Sequence, residues 1–298
     1  MRLLHVDTLE FKEFFTKNDT PKYVIASHRW VKGETTFKDV LKSRNTDAAG
    51  YEKVQSFARF VKEHVSPVEW LWIDTCCIDK DSAAELSESI NLMFEWYRNA
   101  ELCLAYLYDV ESVVDLERSE WFTRGWTLQE LLAPPTIVFL NRSWQVMGNK
   151  GAAAHAYNGC AVGPSLEPTI KEVTRIPECV LHDYSTSFDF SNDAKHHWMD
   201  GRTTTREEDM FYALYGIFGV SPGANYGEGQ HGAKQRLVGA INQNNCWQHR
   251  KWNTLEKSTG GSLRPIRGRI MHPRASNTKI RQASGCFRIV STTNGRPV

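Results

Sequence analysis

Glu130 stands in the stretch WFTRGWTLQELLAPP, Trp121 to Pro135, one helical turn after Trp126 and shortly before two prolines. At about 100° per residue, Leu128, Leu131 and Leu132 share one sector and must face a core, while Trp126 and Glu130 lie together on the other side. Pro134 biases residue 133 away from helical geometry, so the helix is expected to end there. That places Glu130 in the last turn, where the helix dipole opposes a negative charge. A carboxylate beside an indole in that position is expected to titrate above the usual carboxylate range, as catalytic acids and bases do. The same pattern also fits a solvated surface glutamate, because spacing does not reveal burial.

Polar residues also close three apolar runs. Residues 22–27, KYVIAS, lead into Ser27, His28, Arg29 and Trp30; EWLWI leads into Asp74; LCLAYLYD closes at Asp109. In an open parallel sheet, ligands bind beyond the carboxyl ends of the strands, so these residues are candidates for one crevice. Strand ends are equally where polarity ordinarily resumes. Other catalytic templates are missing. No G-x-S-x-G elbow precedes a helix. Gly227 and Gly232 have P-loop spacing, but Ala233 takes the lysine position and no strand precedes them. His182, His196 and His197 lack metal-ligand spacing with any cysteine or acid, so no metal site is expected.

The elements that must position these residues alternate in type. KYVIAS, EWLWIDTCCID, LCLAYLYDV and TIVFLN (residues 136–141) read as strands. Between the first two, YEKVQSFARFVKEH repeats Val54, Phe57, Ala58 and Val61 at helical spacing. After the second, Ser82 with Glu85 opens a helix whose apolar face is Leu86, Ile90, Met93, Phe94 and Tyr97. Strand alternating with helix predicts a parallel α/β sheet. Residues 148–200 read as a less regular linker or insertion. GRTTTREEDMFYALYGIFGV then predicts a core helix, capped by Thr204 with Glu207 or Thr205 with Glu208 and stopped at Gly219, with Met210, Leu214 and Ile217 on its packing face. A Gly-rich turn and a further helix follow in NYGEGQHGAKQRLVGAI.

Hydrophobic content of 41% and charged content of 24% are those of an ordinary globular chain. No apolar run is long enough to span a bilayer, and the N-terminus lacks signal-peptide organisation. Seven cysteines without repeated spacing, Cys76 and Cys77 adjacent among them, read as reduced thiols and core residues, so a cytoplasmic protein is expected. The net charge of +1 hides an asymmetry: residues 247–298 carry eleven Lys/Arg against Glu256 alone. That leaves 25 basic and 34 acidic residues, net −9, for residues 1–246. The basic end reads as a disordered or divergent tail; a nucleic-acid-binding arm is the weaker reading, with no aromatic or zinc motif behind it.

YVIASHRW, WLWIDTCCIDK, ELSESINLMFEWYRNAELCLAYLYDV, SEWFTRGWTLQELLAP and VFLNRSW occur in the order and spacing of the signature blocks of the fungal heterokaryon-incompatibility (HET) domain family. Residues 23 to about 148 therefore resemble that domain. GRTTTREEDMFYALYGIFGV and YGEG resemble the segment that commonly follows it, and the resemblance fades after about Ile241. It implies a HET domain over 1–148, a variable segment over 149–200, a helical completion over 201–245 and a basic tail over 246–298. It also implies a flavodoxin-like, TIR-like, mostly parallel sheet flanked by helices, with additional C-terminal helices. The implied role is non-self recognition ending in cell death, through self-association or other incompatibility proteins.

Some TIR-type proteins hydrolyse NAD with a glutamate on a helix that follows a strand, read in plant members as W-C-L-D-E-L. Here Trp126–Leu131 reads W-T-L-Q-E-L, with Thr127 and Gln129 at the differing positions. The resemblance thus implies Glu130 as the catalytic residue, with Ser27, His28, Arg29, Trp30, Asp74, Asp109 and Trp126 around a substrate. NAD would be that substrate, with no separate cofactor. A non-catalytic signalling module of the same pathway is the alternative.

Overall fold

Two strands that the hydrophobic pattern does not announce open the chain, β1 (Arg2–His5) and β2 (Phe11–Glu13). Both are short, and β2 is largely exposed, so neither carries the apolar run that marks a buried strand. The computed structural model describes residues 1–151 and 162–258, the last fourteen of these as helical backbone. Met1–Cys246 forms one compact unit. Most of the basic tail, and most of the small-residue run at 151–154, lie outside the described residues.

The expected alternation follows. β3 (Val24–His28) leads to α1 (Phe37–Leu41) and α2 (Ala49–His64); β4 (Trp70–Trp72) leads to α3 (Ala83–Asn99); β5 (Leu102–Tyr106) leads through two 3-10 turns to α4 (Thr127–Leu132). β6 (Ile137–Leu140) and β7 (Val146–Lys150) complete the sheet, in the order β2-β1-β4-β3-β5-β6-β7. The four central strands β4, β3, β5 and β6 are parallel, while β1 and β7 pair antiparallel to their neighbours. β2 runs antiparallel to β1 and so shares the central direction, which makes five of seven strands codirectional. Taken in chain order, the parallel strands lie 2-1-3-4, the doubly wound order whose switch point falls between β3 and β5.

All five residues of β3 are buried, as expected for a parallel strand covered on both faces. α2 packs Val54, Phe57, Ala58 and Val61 inward, and α3 packs Ile90, Met93, Phe94 and Tyr97. Ser82 caps α3 by accepting from the Glu85 backbone N–H, and the Tyr97 hydroxyl donates to the Ala26 carbonyl at 2.9 Å, tying α3 to β3. Cys76 and Cys77 are buried, reduced core residues. No helix of the described residues is long and apolar enough to cross a membrane.

Beyond the sheet come α5 (Glu167–Thr174), α6 (Glu178–His182), α7 (Asn192–His197), α8 (Asp209–Tyr212) and α9 (Gly229–Ser258). The single core helix expected over 201–220 is not one helix. α8 has four residues and is followed by a 3-10 turn, Gly216–Phe218, ending at Gly219 with φ +63°. The expected threonine caps do not form. Thr204 donates its hydroxyl to the Arg206 carbonyl, and the Glu208 carboxylate instead accepts from the Gly227 and Gly229 N–H groups. A chain that must meet both α3 and the 226–229 turn is bent by those contacts, which outweigh its helical propensity. At Gly216 a Cβ would lie 2.1 Å from the Phe94 Cβ, so only glycine admits this approach to α3.

Candidate active site

Glu130 is the fourth of six residues in α4, so it stands in the first turn as much as in the last. The dipole argument for an elevated pKa therefore lapses. Burial does the work instead: only 6% of the residue is exposed, and desolvation pushes its carboxyl up to about 7. Arg124 opposes this rise, Asp74 adds to it, and hydrogen bonding to Ser27 and Tyr97 lowers it.

The carboxylate is held from behind. Ser27 Oγ donates to Glu130 Oε2 and accepts from Trp121 Nε1 at 2.8 Å. The two residues that depart from the plant pattern have structural partners. Thr127 Oγ1 donates to the carbonyls of Trp121 (2.6 Å) and Arg124 (2.8 Å), closing the start of α4. Gln129 Nε2 donates to the Ala213 carbonyl at 2.8 Å, fastening α4 to the segment after α8. Buried Arg202 donates to the Arg124 carbonyl and to Thr127 Oγ1, at 2.8 and 2.9 Å; burial lowers its pKa to about 10 and Glu130 raises it.

In front of Glu130 lies a cavity of about 430 Å³, a size that takes a nucleotide-sized ligand. Its walls include Arg29, Trp30 and Asp74 from the ends of β3 and β4, and Trp126 from the start of α4. It thus opens beyond the carboxyl ends of the central strands, where doubly wound sheets place ligands. Trp30 is anchored by its Nε1, which donates to Asp74 Oδ2 at 2.7 Å. Lys80 Nζ lies 3.3 Å from the Trp30 ring centroid, on one of its faces. Arg29 pairs with Glu120 and donates to Tyr108 Oη at 3.0 Å.

Two candidates are placed elsewhere. Ser27 and His28 are adjacent on β3 and point to opposite faces of the sheet. Ser27 reaches Glu130. The His28 ring lies on the α2 side, 5.8 Å from Phe57, with Nε2 3.6 Å from Glu34 Oε2. Burial and the nearby Lys53 lower the His28 pKa; burial alone would raise Glu34, but His28 and Lys53 hold it at about 2. What His28 offers toward the cavity is its carbonyl, which accepts from Arg124 Nη1 at 3.0 Å. Asp109 is exposed and lies outside the cavity wall. Its carboxylate caps the turn at Glu120, accepting from Ser119 Oγ (2.9 Å) and the Glu120 N–H (2.7 Å).

The sequence pattern missed the opposite wall. Residues 203–206, Asp209 and Tyr226 line the cavity with Arg124 and Lys80. Gly125 N–H donates to the Thr203 carbonyl at 2.8 Å, and Thr203 N–H donates to the Thr123 carbonyl at 2.7 Å, so the 203 segment zips onto the start of α4. Asp209 is buried and accepts from Tyr226 Oη at 2.8 Å and from the Trp126 side chain; burial raises its pKa. The polar run TTTREED was its one signal, and capping chemistry explains the same residues. Among the described residues, no group of three or more His, Cys, Asp or Glu is arranged to hold a metal ion.

Residues 23–112 match the family model for heterokaryon incompatibility protein (HET). The chain is also 39% identical over 232 residues to the vegetative incompatibility protein HET-E-1 of Podospora anserina, across 73% of this chain. That alignment covers 16% of the relative, so the chain spans a small part of that protein's length. No solved structure matches. With the signature blocks in order, a family model on the first of them and this identity across most of its length, the chain belongs to the heterokaryon incompatibility (HET) family.

Proposed function

We propose that this chain is an effector of heterokaryon incompatibility that acts by hydrolysing the N-glycosidic bond of NAD or a related nucleotide. The observation that carries the reading is Glu130, a desolvated carboxyl of pKa about 7 on the wall of a nucleotide-sized cavity with Trp30 and Trp126. Breaking the bond between the ribose C1′ and nicotinamide sends the electron pair to the departing ring nitrogen and leaves an oxocarbenium-like sugar. The ionised Glu130 would stabilise that charge and orient the ribose hydroxyls, and water would then add its oxygen to C1′ and release a proton. The tryptophans would stack on the departing ring. In this reading the effector acts in the cytoplasm, through self-association or with other incompatibility proteins.

The alternative is a non-catalytic signalling module of the same pathway. It draws on the inward bond from Ser27, which would suit a carboxylate that only ties α4 to β3. Wild type and Glu130→Gln, purified and assayed for NAD loss and expressed in fungal cells, separate the two. The enzymatic reading expects E130Q to stay folded and to lose both NAD consumption and toxicity. Toxicity of both proteins without NAD loss would leave the module reading standing.

A further inference from the structure

A second cavity of about 320 Å³ adjoins the first, and the two share Lys80, Leu86, Arg206 and Tyr226 as lining residues. Two of these four are cations, and both stand in the same relation to a ring. Lys80 Nζ lies 3.3 Å from the centroid of Trp30, and the Arg206 guanidinium carbon lies 4.0 Å from that of Tyr226. Among the described residues, neither cation has a carboxylate within 4 Å. Their N–H donors are therefore not committed to protein acids, while the ring faces hold the charges in place.

The acids around them are otherwise engaged. Asp74 accepts from Trp30, Asp209 from Tyr226, Glu130 from Ser27, and Asp81 pairs with Lys38 at 2.5 Å. Asp74, Glu130 and Asp209 all line the first cavity and not the second. The first chamber carries Asp74, Glu130 and Asp209 with Arg29 and Arg124, the boundary carries two cations without a carboxylate partner, and beyond them stand Ala83, Ser87, Ala224, Asn225 and Asp81, the last neutralised by Lys38. Burial also lowers the Lys80 pKa, with Asp74 opposing the fall, and a bound anion would relieve that cost.

We propose that Lys80 and Arg206 form a phosphate-binding neck, and that the ligand is a phosphodiester or diphosphate with a group on each side. Its electron-poor ring would lie against Trp30 in the first chamber, its phosphates at the neck, and its second group in the chamber walled by Ser87 and Asn225. This deepens the reading of the Glu130 cavity as the reaction site and rests on it for the first chamber's occupant. The neck itself is testable without turnover.

Inorganic pyrophosphate is the probe, titrated calorimetrically into the full chain and into Lys80→Gln, Arg206→Gln and, as a surface control, Lys62→Gln, whose partner Asp7 lines neither cavity. Pyrophosphate should bind wild type and K62Q alike, and weaken about tenfold in K80Q and in R206Q. Rising salt should weaken binding to wild type more than to either neck variant. Thermal unfolding checks that each variant folds, and Lys80→Arg, which keeps the charge, should restore most of the affinity. Absence of pyrophosphate binding, or equal affinity in wild type, K80Q and R206Q, overturns the neck. Pyrophosphate binding lost in both neck variants, in a protein that consumes no NAD, upholds the neck while the hydrolytic reading falls. NAD consumption with a KM unmoved in both variants leaves hydrolysis standing and overturns the neck.

Discussion

At the scale of single residues, Glu130 links stability to pH. Its carboxyl titrates near 7 in the folded protein against a reference value of 4.5, so the folded state holds the proton more tightly. The stability it contributes is full below about pH 4.5 and is lost as pH rises to about 7. Wild type should lose about 3 kcal/mol relative to E130Q across that window, read from urea unfolding at several pH values. Parallel profiles for the two proteins would show that Glu130 is not desolvated. The sequence singled out this residue through the leucines that fix the core face, but for a reason that does not hold, since a six-residue helix has no distinct last turn. The carboxyl's partners Ser27 and Tyr97 lie 103 and 33 positions away, and no local pattern could reveal its burial. His28 shows the converse limit. Adjacent polar residues at a strand end look equivalent in sequence, and the pleat sends them to opposite faces.

At the scale of elements, the cavity depends on how closely the 203 segment approaches α4. A Cβ on Gly125 would fall 2.4 Å from Thr204 Cγ2, with the Met199 methyl next at 3.4 Å. Gly125→Ala should therefore push the segment off the start of α4 and destabilise the protein by about 1–3 kcal/mol, measured by denaturant unfolding. Binding of pyrophosphate should weaken with it, because Arg206 rides on that segment. An unchanged midpoint would mean that Thr204 yields easily and that the close approach is incidental. The long elements were legible because their apolar faces repeat over several turns, as in α2 and α3. α8 was not, because contacts with α3 and the 226–229 turn break a pattern that reads as helix. β1 and β2 were not, because three or four half-exposed residues carry too little periodicity.

At the scale of the whole molecule, the stretch matched by the family model is not the whole cavity. Ten of the eighteen residues that line it lie beyond residue 112, so the site cannot belong to that stretch alone. A chain shortened to residues 1–150 should expose the apolar faces that Leu214, Tyr215 and Ile217 cover and should fail to bind pyrophosphate. One shortened to 1–246 should melt cooperatively and bind as the full chain does, by scanning calorimetry and titration. Cooperative melting and binding by 1–150 would show that the later helices are dispensable. The same late wall has a consequence for a growing chain. Synthesis delivers residues in order, at roughly 5–20 per second, and Glu130 emerges well before Arg206, Asp209 and Tyr226. Until those residues have left the ribosome, the cleft has one side and no neck, so a stalled or prematurely terminated polypeptide is born without the pocket. Were the proposed activity housed in that pocket, the order of translation would withhold it until Tyr226 had emerged.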